Sequence, residues 1–358
     1  MELARAGYRP VLLDKSETVG DPLCGGFMSW RTLAQLKSLG IQAKELGGHP
    51  VDHLRLFALG RRADTGLPHP ALGLSRHALD SHLRRCAIAS GARMEVDTIR
   101  KLSGATAHGH SANWTSSSIF LATGKHDIRG HSRPRLGSDP ALGLRIRLPA
   151  SAQRTALIGS AIELHLFRGG YAGIVLQEGG SANICLALRK SALADAGGDP
   201  QQLLQRVADQ NADFAARLGE DWRQARIETI GAVPYGWIAR DTSAGFFRLG
   251  DQAAVIPSLA GEGMSIAIAS GTMAAQHWLS GGAASAPSFQ RAFAARAYPP
   301  IQLARAARMM AETRFGAAAA LAFAKLAPSL VIDLAERCRI APAPGPSART
   351  TCAHARPC

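Results

Sequence analysis

The sequence predicts an α/β fold in which a parallel-sheet domain is interrupted by an antiparallel, β-rich region and followed by helices. A helical segment ending at Gly7 leads into the apolar run 10–13, which is typical of a strand buried on both faces of a parallel sheet. A second apolar run, 246–249, leads through a loop into a long helix of small residues. Between them, residues 154–188 form apolar runs separated by glycine turns, which favours antiparallel strands. This order indicates one domain with an inserted sheet rather than two domains in sequence.

The remaining elements are predicted from local patterns. Residues 52–75 alternate apolar and polar side chains around Gly60, which indicates a hairpin. Residues 118–122 predict a buried strand closed by Gly124. Helices are expected at 29–40, 76–90, 200–218, 263–280 and across most of 287–338, and inserted strands at 156–158, 162–167, 172–176 and 183–188.

Four regions follow from these elements. The first is a discontinuous α/β domain, and the second is a β-rich region that would hold substrate. A helical region and a disordered tail rich in Pro, Ala and Arg complete the chain. The predicted bounds are 1–45, 72–138 and 240–282 for the α/β domain, 46–71 and 139–239 for the β-rich region, 283–340 for the helices and 341–358 for the tail.

The composition limits the classes of partner. The 358 residues are 46% hydrophobic, enough for a sizeable core. The net charge of +14 is compatible with nucleic acid, an anionic membrane surface or an anionic cofactor. Because the arginines are scattered and aromatic residues make up only 6%, no nucleic-acid partner is expected.

Cysteine usage and hydropathy predict a cytoplasmic protein. None of the six cysteines forms a C-x-x-C pair and no signal peptide precedes them, so reduced thiols are expected. No apolar stretch reaches the ~20 residues that cross a bilayer. Residues 315–324 come nearest and predict a buried or interfacial helix. The helical region 287–338 is thus expected to pack as ordinary core or to touch a membrane surface peripherally.

The strongest local signal for a ligand site is the segment from Phe247 to Met264. A strand leads into Gly250-Asp251, and a glycine-rich segment then opens a helix at Gly263. Gly250 allows close approach of the backbone to a ligand, and Asp251 can bind a polyol hydroxyl. The helix N-terminus carries partial positive charge that stabilises an anion.

Three weaker signals accompany it. Asp14 follows the first strand, where an acid can accept hydrogen bonds from ribose hydroxyls. The turn at 121–124 lets the backbone pass close to a dinucleotide. Arg76 begins a helix and can pair with a pyrophosphate. Each signal is equally compatible with an ordinary structural role.

Taken in order, these segments resemble flavoproteins of the geranylgeranyl reductase group, within the para-hydroxybenzoate hydroxylase-like superfamily. The resemblance spans most of residues 1–280. Its Gly-Asp segment is characteristic of the superfamily, whereas the Cys24-Gly-Gly segment favours the reductase group. It is carried by residues 3–7, 10–14, 20–26, 75–80, 122–124 and 250–271.

The resemblance implies a Rossmann-like FAD/NAD(P)-binding domain interrupted by an antiparallel substrate sheet at about 140–240. By it, Asp14 would bind the adenosine ribose, Arg76 the pyrophosphate side and Asp251 the ribityl chain. The segment 261–264 would face the flavin pyrimidine edge, and Cys24 to Gly26 would lie near the isoalloxazine. The implied cofactor-binding residues are Asp14, Lys15, Cys24, Gly25, Arg76, Ala122, Thr123, Gly124, Gly250, Asp251, Gly261, Gly263 and Met264.

Two departures from the family pattern stand out. These families begin with a strand and a G-x-G-x-x-G loop, whereas Met1 here falls in the helix that follows such a loop. We expect a start codon placed too late, with roughly 10 to 20 residues upstream. The segment 170–175 lacks the aromatic residues usual in geranylgeranyl reductases, and no paired-tryptophan motif of halogenases is present nearby.

The predicted activity is that of an FAD-dependent oxidoreductase on a hydrophobic small molecule, with NAD(P)H or another donor reducing the flavin. Monooxygenase and double-bond reductase remain open, and no catalytic acid or base is identified. Cys24, Tyr171 and Trp237 are candidates to line the cavity. The alternative is a degenerate, non-catalytic flavin-fold binding protein. Neither a hydrolase nor a metal site is expected, because hydrolase motifs and clustered metal ligands are lacking.

Overall fold

The computed structural model describes residues 1–134 and 137–341. The tail predicted at 341–358 lies outside the described residues from residue 342 onward. The strands are β1 (Val11–Asp14), β2 (Phe27–Met28), β3 (His49–Ala58), β4 (Arg61–Gly73), β5 (Arg93–Val96), β6 (Lys101–Ser103), β7 (Thr106–His108), β8 (Asn113–Thr115), β9 (Ile119–Leu121), β10 (Ala141–Leu148), β11 (Ala161–Phe167), β12 (Gly170–Leu176), β13 (Ala182–Arg189), β14 (Ile227–Val233) and β15 (Phe246–Arg248).

Helices occupy both the beginning of the chain and its C-terminal part. They are α1 (Glu2–Arg5), α2 (Trp30–Ser38), α3 (Arg76–Ala89), α4 (Ala152–Ile158), α5 (Lys190–Asp195), α6 (Pro200–Gln210), α7 (Ala212–Leu218), α8 (Gly263–Gly281), α9 (Ala286–Ala311), α10 (Arg314–Leu326) and α11 (Pro328–Arg337).

An eight-stranded sheet forms the centre of the molecule, in the order β14-β10-β13-β12-β11-β3-β4-β2. Neighbouring strands are antiparallel except β11 and β3, which run parallel with Ala161 opposite His53. The hairpin predicted at 52–75 is the β3–β4 pair, and it begins slightly earlier, at His49. This mixed α/β architecture confirms the predicted fold class, and the predicted domain bounds stay a prediction.

The two faces of this sheet have different partners. On one face, alternate residues of β10, β12 and β13 pack with Leu204, Phe214 and Trp222 from the helical segment after β13. The other face turns toward α10, whose Leu321 packs with Leu56 and Leu166. Because strand side chains alternate between faces, one face builds core while the other remains available for a cavity.

The α/β part consists of short parallel pairs. β1 pairs with β5, and β15 pairs with β9, so that Phe247 lies opposite Phe120. The helix α8 follows β15 and packs on α9 through a core that includes Phe247, Ile266 and Phe289. A separate three-stranded sheet, β6-β7-β8, completes the region and was missed by sequence reasoning.

Two predictions from apolar runs were wrong. Val11 and Leu12 of β1 are 43% and 37% exposed rather than buried on both faces, because β5 is the sole partner of β1 in the described part of the chain. The run 156–158 belongs to α4 rather than to a strand. Ser151 caps that helix by accepting a hydrogen bond from the Arg154 amide, a local signal that outweighs a short apolar run.

The helices α9, α10 and α11 cover the cavity face of the sheet. Among the described residues, no individual helix has the length and apolarity to cross a bilayer. Taken together, α10 and α11 meet that criterion by length and composition, although they are bent by 114°.

Candidate functional site

A cavity of about 690 Å³ opens between the α/β part, the free face of the large sheet and the C-terminal helices. Residues that are far apart in the sequence meet there. Most of the predicted cofactor-binding residues line it: Cys24, Gly25, Arg76, Ala122, Gly124, Gly250, Asp251, Gly261, Gly263 and Met264.

The Gly250-Asp251 turn is held in place by two hydrogen bonds. The Gly250 amide donates to Ser270 Oγ of α8 at 2.8 Å, with Gly250 at a φ of 54°, in the left-handed region that glycine adopts readily. Arg133 Nη1 donates to the Asp251 carbonyl oxygen at 2.9 Å. Arg133 is itself buried and paired with Asp127 at 2.7 Å. The turn is therefore fixed through its backbone, and the Asp251 side chain lines the cavity.

The N-terminus of α8 opens onto the same cavity. Glu262 occupies the N-cap position without a side-chain cap, so the first amides of α8 have no acceptor within the helix. Gly263 is the first helical residue, and a Cβ added there would meet no atom within 4 Å. Free amides, partial positive charge and open space therefore coincide at this point.

Glu262 places a carboxyl group beside this helix N-terminus. Its side chain is completely buried and lines the cavity, and burial raises the pKa of Glu262. The nearest cation is Arg339, with Nε 3.4 Å from Oε1, and the Arg339 guanidinium stacks 3.8 Å from the Trp30 ring centroid. A carboxyl group with a raised pKa can hold a proton inside the cavity.

The Cys24 to Gly26 loop is clamped by residues of the large sheet and of the α/β part. Asn183 Nδ2 donates to the carbonyl oxygens of Cys24 and Gly25 at 3.1 and 2.8 Å. The Leu74 amide donates to the Gly26 carbonyl oxygen at 2.8 Å. Gly26 has a φ of 70°, and a Cβ there would collide with the buried Gln177 side chain. This position therefore requires glycine, and the loop is rigid where it meets the cavity.

Arg76 lines the cavity and forms an ion pair with Asp80. Its Nε and Nη2 contact the Asp80 carboxylate at 3.0 and 2.7 Å, one helical turn along α3. Burial disfavours the charged form, but the hydrogen bonds that Arg76 donates to the Asp80 carboxylate, together with its negative charge, raise the pKa of Arg76 above its ordinary value. The guanidinium is thus permanently charged, and Asp80 fixes its orientation.

A second polar group in the cavity joins Tyr171, a predicted lining residue, to Tyr235 and Ser258, which sequence reasoning did not single out. Ser258 Oγ lies 2.5 Å from the Tyr171 hydroxyl and 2.7 Å from the Tyr235 hydroxyl. Burial raises the pKa of both tyrosines, so both hydroxyls stay protonated. Tyr171 comes from β12, whereas Tyr235 follows β14 and Ser258 begins a short 3-10 helix before α8, and no local motif connects the three.

The rest of the cavity wall is mostly aliphatic. The sheet contributes Ile162, Leu164 and Leu166 from β11. In the neighbouring strand β12, Gly173 lines the cavity without a side chain. A Cβ added there would make only ordinary contacts, 3.7 Å to the Cys185 carbonyl oxygen and 3.8 Å to Leu164. This half of the cavity is suited to a hydrophobic ligand.

Four predicted residues lie outside the cavity wall. Asp14 pairs with Arg84 at 2.6 Å, and Thr123 donates its hydroxyl hydrogen to the His126 carbonyl oxygen at 2.7 Å. Lys15 is likewise absent from the lining. Trp237, a candidate to line the cavity, instead packs beside the buried residues Val233 and Val255. Cys24 and Tyr171 do line the cavity, as predicted.

Comparison with known proteins identifies the fold. PqsL, a probable FAD-dependent monooxygenase from Pseudomonas aeruginosa, superposes with a TM-score of 0.65 at 15% identity, over 89% of this chain and 94% of that one. This chain has the fold of the FAD-dependent monooxygenases. A variant of the halogenase PltM in complex with FAD shares this flavoprotein fold, with a TM-score of 0.65 at 12% identity over 87% of this chain and 74% of that one.

A curated relative is similar in sequence as well. Menaquinone reductase of Mycolicibacterium smegmatis is 26% identical over 301 residues, which cover 78% of this chain and 72% of that protein. No family model matches the chain. The predicted resemblance to para-hydroxybenzoate hydroxylase-like flavoproteins is confirmed at the level of the fold.

The residues around the cavity fit an FAD molecule. A Cβ added to Gly25, Gly124 or Gly263 would meet no atom within 4 Å, so the space beside these backbone segments is open. The α8 amides offer donors for an electron-rich group, and Asp251 offers acceptors for hydroxyl groups.

Proposed function

We propose that the protein is an FAD-dependent oxidoreductase that acts on a hydrophobic small molecule. The observation that carries this proposal is a single cavity that joins the Gly250-Asp251 turn and the α8 N-terminus to the aliphatic face of the large sheet. Bound FAD supplies two-electron redox chemistry. In this arrangement Asp251 binds hydroxyl groups of the cofactor, and the α8 amides stabilise negative charge.

Reduction of the substrate is the reaction that we favour. The sequence relative is named a menaquinone reductase, and the aliphatic wall suits a prenylated acceptor of that kind. The buried Glu262 carboxyl and the Tyr171 and Tyr235 hydroxyls are groups in the wall that can hold or donate a proton. Hydroxylation is the second candidate, because PqsL has the same fold.

NAD(P)H is the electron donor that we propose, and an anaerobic experiment tests the whole assignment. The protein is loaded with FAD, reduced with NADPH, and then mixed with a prenylated quinone while flavin absorbance is recorded. We expect bleaching by NADPH and recovery with the quinone in the absence of oxygen. Recovery only with oxygen, together with a hydroxylated product, would establish the monooxygenase instead.

The same experiment separates the enzyme from a non-catalytic binding protein. A bound flavin that NADPH does not reduce and that, once reduced with dithionite, is not reoxidised by the quinone would indicate a binding module. Reoxidation by the quinone after dithionite reduction, without any reduction by NADPH, would show that the donor, and not the redox assignment, is wrong.

A further inference from the structure

Large exposed apolar side chains are concentrated on the α10–α11 pair. We call Phe315, Phe323, Leu326, Leu330 and Leu334 the apolar patch; their exposed fractions are 91%, 54%, 86%, 53% and 39%. Phe315 and Leu326 are eleven residues apart and therefore on the same face of α10. The opposite face buries Ala317, Leu321 and Ala324 against the large sheet. Contiguous exposed apolar residues of this kind mark an interaction surface.

The apolar patch is continuous with the interior of the cavity. Phe323, Leu330 and Leu334 belong to the patch and also line the cavity wall. Met310, which is 52% exposed at the end of α9, also lines the cavity wall. The cavity therefore has a mouth at the patch. A protein bound to the patch would close this mouth. A lipid bilayer at the patch would instead allow a hydrophobic ligand to pass from the acyl chains into the cavity.

Charge around the patch favours an anionic surface. Arg314, Lys325 and Arg337 are exposed on the same two helices, against one exposed carboxylate, Asp333. The whole chain carries +14. Apolar side chains bordered by cations are the composition of helices that lie in the interface of an anionic bilayer.

We propose that the α10–α11 pair docks on the surface of an anionic phospholipid bilayer, with the apolar patch inserted and the cavity mouth facing the acyl chains. The composition of the pair supports this, because α10 and α11 together, though not singly, are long and apolar enough for a bilayer. The bend of 114° between them means that the pair is not one straight span. Docking does not depend on the proposed redox reaction, since it is measured without turnover.

Co-sedimentation with vesicles tests the proposal. The complete protein is mixed with vesicles of phosphatidylcholine alone or with added phosphatidylglycerol, and the bound fraction is measured. We expect binding to the anionic vesicles that weakens with salt but is not abolished by it, because insertion of apolar side chains persists when charges are screened. The double variant Phe315→Glu/Leu326→Glu should bind roughly tenfold more weakly or worse.

A matched variant controls for added negative charge. Ile88 and Val96 are 46% and 49% exposed and lie outside the α10–α11 pair, so Ile88→Glu/Val96→Glu changes the net charge equally. This control should retain binding to the anionic vesicles. Both double variants should keep the thermal midpoint and far-UV spectrum of the unaltered protein, because all four positions are exposed.

A tryptophan added at position 315 distinguishes insertion from charge attraction. The emission of Phe315→Trp minus that of the unaltered protein, which has five tryptophans, should shift to shorter wavelength with anionic vesicles and resist quenching by iodide. Equal binding by the two double variants, or no binding to vesicles of either composition, would overturn the proposal. A dimer that dissociates in the Phe315→Glu/Leu326→Glu variant while vesicles remain unbound would overturn it in favour of a second copy of the chain.

Discussion

Arg133 holds Asp251 by its backbone rather than by its carboxylate: Arg133 Nη1 donates to the Asp251 carbonyl oxygen at 2.9 Å. The guanidinium is 4% exposed and is oriented by Asp127. Because this bond uses only the main chain, the Asp251 carboxylate in the cavity wall remains available to a ligand. The main chain of Asp251 therefore holds the turn in place, while its side chain can bind a ligand.

Replacing Asp251 should weaken FAD binding and leave the fold intact. Loss of a charge-assisted hydrogen bond in Asp251→Ala should cost about 2 kcal/mol, or roughly thirtyfold in Kd. Isothermal titration with FAD measures the change. The exposed Asp241 provides the control, since Asp241→Ala removes the same charge outside the cavity wall. Equal affinity of both variants would exclude Asp251 from the site.

A side chain at Gly263 should block the cofactor without destabilising the protein. A Cβ at this position meets no atom within 4 Å. We therefore expect Gly263→Val to change the free energy of unfolding by no more than about 1 kcal/mol. Its side chain would occupy the space next to the α8 amides, and FAD titration should show little or no binding.

A side chain at Gly261, two residues earlier, should instead destabilise the protein. It has a φ of 68°, and an added Cβ would lie 2.9 Å from Phe27 Cδ1. Gly261→Ala should therefore lower the unfolding free energy, by about 1 to 3 kcal/mol. Normal FAD binding by Gly263→Val would place the cofactor elsewhere.

The absence of a side chain at Gly173 should leave space in the cavity for the hydrophobic substrate. Gly173→Phe would project from β12 into the cavity next to Leu164, so the KM for a prenylated acceptor should rise while FAD affinity stays unchanged. Gly231→Phe is the control. It lies in β14 of the same sheet, its added Cβ would meet Leu142 at 3.7 Å, and it does not line the cavity. An equal rise in KM for both variants would point to a general effect on the sheet.

Low pH should destabilise the protein through a buried cluster of Glu163, His165 and Arg217, on the face of the large sheet opposite the cavity. Glu163 is completely buried and accepts hydrogen bonds from Arg217 Nε at 2.7 Å and Arg55 Nη1 at 2.7 Å. Burial would raise the pKa of Glu163, but the bonds from His165 and Arg217 lower it to about 2. Burial lowers the pKa of His165 below its ordinary 6.5.

The pKa shifts of Glu163 and His165 both lower the free energy of unfolding as the pH falls. The depressed pKa of Glu163 contributes stability that is complete above its ordinary value of 4.5 and is lost as the pH falls toward 2. The depressed pKa of His165 means that protonation of the unfolded chain begins to cost stability below 6.5. Urea unfolding across this range should show a falling free energy of unfolding.

Glu163→Gln tests the cluster at neutral pH. It removes the buried counterion of Arg217 and leaves only the more exposed Asp213, 3.4 Å from Arg217 Nη1, so we expect a loss of about 3 kcal/mol. The pH dependence between 4.5 and 2 should become shallower in this variant. The control is Glu220→Gln, because Glu220 is 95% exposed and should change stability little. Similar losses in both variants would contradict a special role for Glu163.

The sequence predicted those parts of the site that depend on local backbone chemistry. The Gly250-Asp251 turn, the α8 N-terminus at Gly263 and the Cys24 to Gly26 loop consist of glycines next to a strand end or a helix start. Their glycines reflect open space at Gly263 and a close contact at Gly26. Such requirements are visible in a short stretch of sequence, and all three segments line one cavity.

The residues that sequence reasoning missed are connected only by the fold. Ser258 meets Tyr171 across 87 positions of the chain, and Lys125 Nζ donates to the Leu23 carbonyl oxygen across 102. Arg339 reaches Glu262 from the end of the described helices. Pairings over such separations depend on how the sheet and helices pack, and no local pattern encodes them. The error at 156–158 had a different cause, since three apolar residues suit a helix or a strand equally.

The most direct test of the central claim is a crystal structure of the protein grown with FAD. We expect the isoalloxazine ring against the backbone of Gly261 to Met264 and the ribityl chain within hydrogen-bonding distance of Asp251. An FAD molecule bound away from this cavity, or a protein that takes up no FAD at saturating concentration, would contradict the proposed site.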